Sequence, residues 1–420
     1  MPLTGKAGRR GLKSRKRRGG DRREWSRRSE AASLELPKGL LAAAQANTRL
    51  LGESTFLALL AHEAAQTRAP ELTRAYRNVV AVGAGMKKIR RRGVERLTSQ
   101  PCVVFVVRRK WTVDQTDIKN PQHLPRWLVV YAEHQNERKP FAVATDVQPE
   151  TGFFGTRPHG DGGIWLDPPD LPWTIGAIAC AVEVRRPTGS ESCLMSAQHV
   201  FTPEPDVDAL RVSDGLRVMP LDTSGARISA PTVARTRPLG GLMRGEEDPK
   251  LPSFDVQLAR LEDLASARRI VGAPSLSATE PWISSFERLV QLNEEHWLQL
   301  IVPQNHPGVP SRSPLRARIE TLLPLAYAIQ YDVRRGEDRT EAWLYHEGLV
   351  KLEIKGSFLP LAGDSGSAVI VQYADGSATL VGLYIGGNEA SAFIIPAWQL
   401  FDPRRYWSLP SGTKLVPVSL

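Results

Sequence analysis

The chain has 420 residues, 41% of them hydrophobic and 24% charged, which is room for two or three globular units of ~150 residues each. No apolar run approaches the ~18 residues a membrane-crossing helix needs, so that class is excluded from the reading. The formal charge of +10 is gathered at one end: residues 1–28 hold twelve Lys or Arg against Asp21 and Glu24, and the remainder is balanced.

That first stretch, MPLTGKAGRRGLKSRKRRGGDRREWSRR, has almost nothing to pack and many like charges, so residues 1–30 are expected to form a disordered basic arm. It lacks the apolar centre of a secretory leader. Two readings stay open for it: a solvated tail, or attachment to an anionic partner, either nucleic acid or a membrane surface. Residues 31–77 form a helical segment, because Leu40, Leu41, Ala44, Leu50 and Leu51, then Phe56, Leu59, Leu60 and Ala64, recur at helical steps. Pro70 is expected to break or restart that helix.

Residues 78–148 change to β-prone runs, NVVAVGAGMKKI, PCVVFVVRRKW and RWLVVYAEHQ, and are read as a small α/β domain. The lone G-x-G of VGAGMK lacks the third glycine of a dinucleotide site and is read as a tight turn. Residues 149–173 have the Gly and Pro content of a linker. From residue 174 to 410, short β runs such as IGAIACAVEV, SCLMSA, FDVQLARL, LVKLEIKG and SAVIVQY alternate with turn residues, a barrel or sandwich pattern. Asp375-Gly376 marks a hairpin between two of them. WISSFERLVQLNEEHWLQLIV breaks the pattern and is read as a helical or mixed insertion around residues 265–310.

The three cysteines are too few for a disulfide framework, and a reducing cytoplasm is the expected compartment. Cys180 and Cys193 flank a predicted turn near Arg186–Pro187 and are read as buried thiols rather than a bond. His62 precedes Glu63, but HEAAQ lacks the second histidine of a zinc-protease helix. No metal site and no cofactor are expected. His346 and the other remaining histidines have no distinguishing context.

Three short stretches carry chemistry. SAQHV places His199 after a β run, DVQLARL places Asp255 at the head of another, and GDSGS places Ser365 between glycines. A serine hydroxyl needs a base to become a nucleophile, and a histidine held by a carboxylate is such a base. The order and wording of these motifs resemble the chymotrypsin/trypsin-like serine endopeptidases over roughly residues 174–400.

The resemblance implies a mainly β fold, a chymotrypsin-like double β-barrel, preceded here by the small α/β domain and the helical segment. It implies a His199, Asp255, Ser365 triad acting on a protein or peptide substrate, with the amides of Gly363 and Ser365 as oxyanion donors. It also implies Leu359 near the base of the specificity pocket and Ile385, Gly386 and Gly387 as its wall. Leu359 is apolar, so a small or medium apolar residue is expected at the cleavage site. Secreted members carry a cysteine where this chain has Val200. In classical members the Asp before the nucleophile pairs with an amino terminus freed by cleavage. No activation site is evident here, and the partner of Asp364 stays open. Two alternatives remain at this stage: a catalytically silent protease-fold module, and a tethered regulator acting through the basic arm.

Overall fold

The computed structural model describes residues 39–51, 54–76, 78–91, 94–108, 124–150, 164–167, 176–201, 217–220, 234–240, 252–261, 275–302, 312–323, 327–335, 338–356, 359–361, 363–388, 391–404, 407 and 409–418. The basic arm expected over residues 1–30 lies outside them.

Two helices open the described chain, α1 (Leu40–Leu50) and α2 (Ser54–Ala75). The predicted break at Pro70 does not occur. Pro70 sits inside α2 at an exposed position, and Gln66, whose carbonyl it deprives of a donor, is exposed as well. The interruption falls instead between α1 and α2.

Four strands follow: β1 (Val79–Arg91), β2 (Val94–Val107), β3 (Trp127–His134) and β4 (Glu137–Pro149). Leu60, Ala64 and Leu72 of α2 bury against Val82, Phe105, Leu128 and Phe141 of this sheet. Alternate residues of each strand face that helix, as the two-residue period of a strand requires. Within the stretch read as a linker, Ile164–Asp167 forms a short strand, β5.

The first group of later elements is β6 (Cys180–Arg186), β7 (Gly189–Ser196), α3 (Gln198–Phe201), β8 (Arg217–Pro220), β9 (Ala234–Gly240) and β10 (Gln257–Leu261). The second is α4 (Phe286–Glu295), β11 (Leu298–Leu300), β12 (Leu315–Leu323), β13 (Tyr327–Arg335), β14 (Asp338–His346), β15 (Leu349–Lys355), β16 (Ala368–Gln372), β17 (Ala378–Asn388), β18 (Ser391–Pro396), α5 (Ala397–Leu400) and β19 (Lys414–Val418). The unusual stretch 282–302 is thus mixed, a helix capped by the Ser285 hydroxyl and then a strand. Asp375-Gly376 does form the turn between β16 and β17, with Gly376 at φ +85°.

The protein is mainly β. One sheet has seven strands in the order β19-β6-β7-β10-β9-β8-β5, and another has ten in the order β11-β16-β17-β18-β15-β12-β1-β2-β4-β3. In the larger sheet β11 also pairs with β12. β13 and β14 pair with each other as a two-stranded hairpin; among the described residues its one further β-bridge joins His346 of β14 to Ser253, whose amide donates to the Tyr345 carbonyl at 2.6 Å. One continuous hydrophobic core runs between the two large sheets. Cys180 and Cys193 lie across the β6–β7 hairpin as buried free thiols, and burial pushes the Cys180 thiol up to about 12.

VGAGMK is not a turn. It lies inside β1, at the seam where β1 meets β12, with Ala84 opposite Leu322 and Gly85 opposite Thr321. A Cβ on Gly85 would stand 2.3 Å from the Glu320 carbonyl oxygen, so glycine is needed for the approach of two backbones rather than for a bend. A buried polar cluster fastens the same seam. The Nζ atoms of Lys88 on β1 and Lys351 on β15 each lie 2.7 Å from Glu320 Oε1. Burial alone would raise the Glu320 carboxyl; Lys351 and Lys88 hold it below its ordinary value.

Candidate functional site

The register of β7 and β10 assembles the first part of the site. Gln257 pairs with Ser196, so running two residues back along one strand and two forward along the other brings Asp255 alongside Gln198 and His199. His199 then lies on α3, and its ring Nδ1 sits 2.6 Å from Asp255 Oδ2. The His199 amide donates to Asp255 Oδ1 at 3.0 Å. A third donor closes the carboxylate: Tyr331 of β13 gives its hydroxyl to Asp255 Oδ2 at 3.0 Å.

Asp255 is fully buried and His199 nearly so. Burial alone would push the Asp255 carboxyl upward. The charge and hydrogen bond of the His199 ring, then the charge of His346 and the His199 amide, hold it below its ordinary value. An ionised Asp255 in turn fixes Nδ1 of His199 as the protonated nitrogen and leaves Nε2 as the basic one. Nε2 is buried and has no hydrogen-bond partner among the described residues.

The second part is the turn Gly363–Ser367, which leads into β16. Gly363 and Gly366 both have positive φ, +94° and +88°. Gly366 is also required sterically, because a Cβ there would lie 2.1 Å from the Ala177 carbonyl oxygen and 2.2 Å from Ser196 Oγ. Around the turn the amides of Asp364, Gly366 and Ser367 donate to Leu361, Tyr384 and Asp364 carbonyls. Among the described residues the amides of Gly363 and Ser365 find no acceptor, and they are the two the resemblance assigns to an oxyanion.

The two parts meet through Gly176 and Ala177. The Ala177 amide donates to the Ser365 carbonyl at 2.7 Å, and Ser196 Oγ donates to the Ala177 carbonyl at 2.6 Å. A Cβ on Gly176 would touch both the Val200 side chain, at 2.3 Å, and the Ser365 carbonyl, at 3.0 Å. His199 and Ser365 therefore occupy one neighbourhood. Their Nε2 and Oγ atoms are not hydrogen-bonded to each other.

Asp364 has a partner that sequence reading missed. Arg312, buried, grips it with two hydrogen bonds, Nη1 to Oδ1 at 2.6 Å and Nη2 to Oδ2 at 2.8 Å. The same Nη2 donates to the Leu359 carbonyl at 3.1 Å, and the Leu361 amide donates to Asp364 Oδ2 at 2.7 Å. The guanidinium thus ties the segment before the turn to the turn itself. Leu359 is 36% exposed.

Ile385 and Gly386 are buried, and Gly387 is partly so. β16 stops pairing with β17 at Ala368 and Leu383, while β18 continues along the other edge opposite Gly386 and Gly387. Residues 385–387 thus keep one edge without a strand partner among the described residues.

Tyr331 and His346 also escaped the sequence reading. Tyr331 and the His199 ring meet edge to face at 5.8 Å between centroids, and the His346 ring lies 5.4 Å from Tyr331. Only the alternation Tyr327, Ile329, Tyr331 hinted that this face is buried, and nothing local pointed it at Asp255. Among the described residues no group of three His, Cys, Asp or Glu is placed to hold a metal ion, and no helix is long and apolar enough to cross a membrane.

No protein-family model matches the chain, and no curated protein matches it. Among solved structures it is similar to the NS6 protease from murine norovirus 1, at 11% identity and a TM-score of 0.23, over 51% of this chain and 88% of that one. A TM-score that low leaves function to rest on the geometry of the site itself.

Proposed function

We propose that this chain is a serine endopeptidase of chymotrypsin-like build, with Ser365 as nucleophile, His199 as general base and Asp255 as the group that orients it. One observation carries the reading: a buried carboxylate holds the Nδ1 side of His199 and, among the described residues, leaves Nε2 without a partner, in the neighbourhood of Ser365, whose own amide and that of Gly363 find no acceptor there. In the reaction Ser365 Oγ attacks a peptide carbonyl and passes its proton to His199 Nε2. The tetrahedral oxygen takes hydrogen bonds from the Gly363 and Ser365 amides. His199 then returns the proton to the leaving amine, and water hydrolyses the acyl-enzyme by the same steps. The open edge at residues 385–387 suits an extended peptide that adds as a strand, and Leu359 favours a small or medium apolar side chain beside the scissile bond.

Arg312 supports constitutive competence. A guanidinium already pairs with Asp364, so the turn is held without an amino terminus released by cleavage.

The absence of a hydrogen bond between Nε2 and Ser365 Oγ favours the second reading, a catalytically silent module of the same build. Such contacts are often long before substrate arrives. A fluorophosphonate probe decides between the two. Labelling of the full chain that disappears in Ser365→Ala supports the peptidase; no labelling of the wild-type chain at any pH between 6 and 9 supports the silent module.

A further inference from the structure

We infer that Tyr331 is a positioning residue of this site, delivered by the separate β13–β14 hairpin to lock the carboxylate of Asp255 in the orientation that His199 needs. The inference rests on the peptidase reading for its kinetic consequence, though its structural content does not depend on it.

Two oxygens of Asp255 receive three donors from two elements: the amide and Nδ1 of His199 on α3, and the hydroxyl of Tyr331 on β13. Without Tyr331 both remaining donors belong to one residue, so the carboxylate and the ring it should hold can shift together, with no donor from another element to fix them. The phenol adds a contact from the opposite side of the molecule's chain order, 76 residues away. The His199 ring meets the phenol edge to face, and its own swing is restricted by the same side chain. The His346 ring of β14 packs 5.4 Å from the phenol and its charge bears on Asp255, so the three groups facing Asp255 are His199, Tyr331 and His346.

The chemistry suits a permanent donor. Burial first, then the charge and hydrogen bond of Asp255, push the Tyr331 phenol well above its ordinary range, so it keeps its proton wherever a histidine base works. A buried phenol also requires a hydrogen-bond partner, and Asp255 is the one it has. The hairpin belongs to neither large sheet; it is seated beside Asp255 by the Ser253 amide, which donates to the Tyr345 carbonyl, and by the Tyr331 hydroxyl.

Three full-length proteins test the inference: wild type, Tyr331→Phe, and a protein carrying 3-fluorotyrosine at position 331. Two readouts are taken on each, the rate of fluorophosphonate labelling of Ser365 across pH 6–9, and the proton resonance of the His199 Nδ1–H. Phe keeps the ring packing and removes only the donor. Labelling is expected to fall about tenfold at its plateau, equivalent to ~1.4 kcal/mol, with the acid limb of the profile displaced. The Nδ1–H resonance is expected to move, and 3-fluorotyrosine to restore the rate to within about threefold. Tyr331→Phe with a wild-type rate, profile and resonance overturns the inference and leaves the peptidase reading standing. A wild-type chain that never labels, with a resonance that still moves in Tyr331→Phe, removes the peptidase reading and upholds the role of Tyr331 at Asp255.

Discussion

Replacing Arg312 by methionine is expected to loosen the turn that carries Ser365 more than any other change outside the triad. The guanidinium is almost wholly buried, makes two hydrogen bonds to a fully buried carboxylate and one to the Leu359 carbonyl. Removing one member of a buried pair leaves the other charge uncompensated, at a cost of about 3–5 kcal/mol. The Leu361 amide still donates to Asp364 in the variant, which places the expected loss near the lower end, about 3 kcal/mol. Urea unfolding of the full chain followed by tryptophan fluorescence measures it, and labelling of Ser365 measures the turn. The double variant Arg312→Met with Asp364→Leu buries no charge, and most of the stability should return while labelling stays lost. A single variant within about 1 kcal/mol of wild type that labels normally would refute the reasoning.

Two further expectations concern pH and packing. Burial, reinforced by the charge of His199 and opposed by that of Asp255, lowers the His346 ring to about 4. Between that value and the ~6.5 of a free histidine the unfolded chain takes up a proton that the folded chain refuses, so stability falls as pH drops through this window, by about 3 kcal/mol in all. His346→Phe should flatten the melting temperature between pH 6.5 and pH 4; an unchanged slope would show that other groups set it. Gly85→Ala should cost about 1–3 kcal/mol by forcing apart β1 and β12, since the carbonyl it meets cannot yield. Hydrogen exchange at residues 83–86 and 320–323 reports the seam, and wild-type protection there would count against the account.

The parts of the molecule legible in the sequence were those set by local pattern. Alternating runs became β6, β7, β10, β16 and β17, and helical spacing became α1 and α2. His199 and Asp255 were findable because each sits in a short motif and the β7–β10 register joins them. Glycines misled where their role was non-local: those of VGAGMK looked like a bend and serve the approach of a strand more than 200 residues away. Pro70 misled because an exposed helix position tolerates a lost hydrogen bond. Arg312 and His346 carried no local mark, and the alternation around Tyr331 marked only a buried face, not its partner. Their importance comes from partners 52, 76 and 91 residues distant, which only the tertiary fold brings near. The arm at residues 1–28 lies outside the described residues, and its two readings stand as the composition left them.

The run of hydrogen-bonded strands from β3 through β1 into β12 has a practical bearing on how this chain is handled. Cutting before residue 149 to isolate the later half would strip β12 of a neighbour, bare a row of backbone groups, and leave Glu320 with one lysine in place of two. A raw sheet margin of that kind invites self-association. The front portion is better regarded as a buttress built into the wall than as a porch that can be taken off.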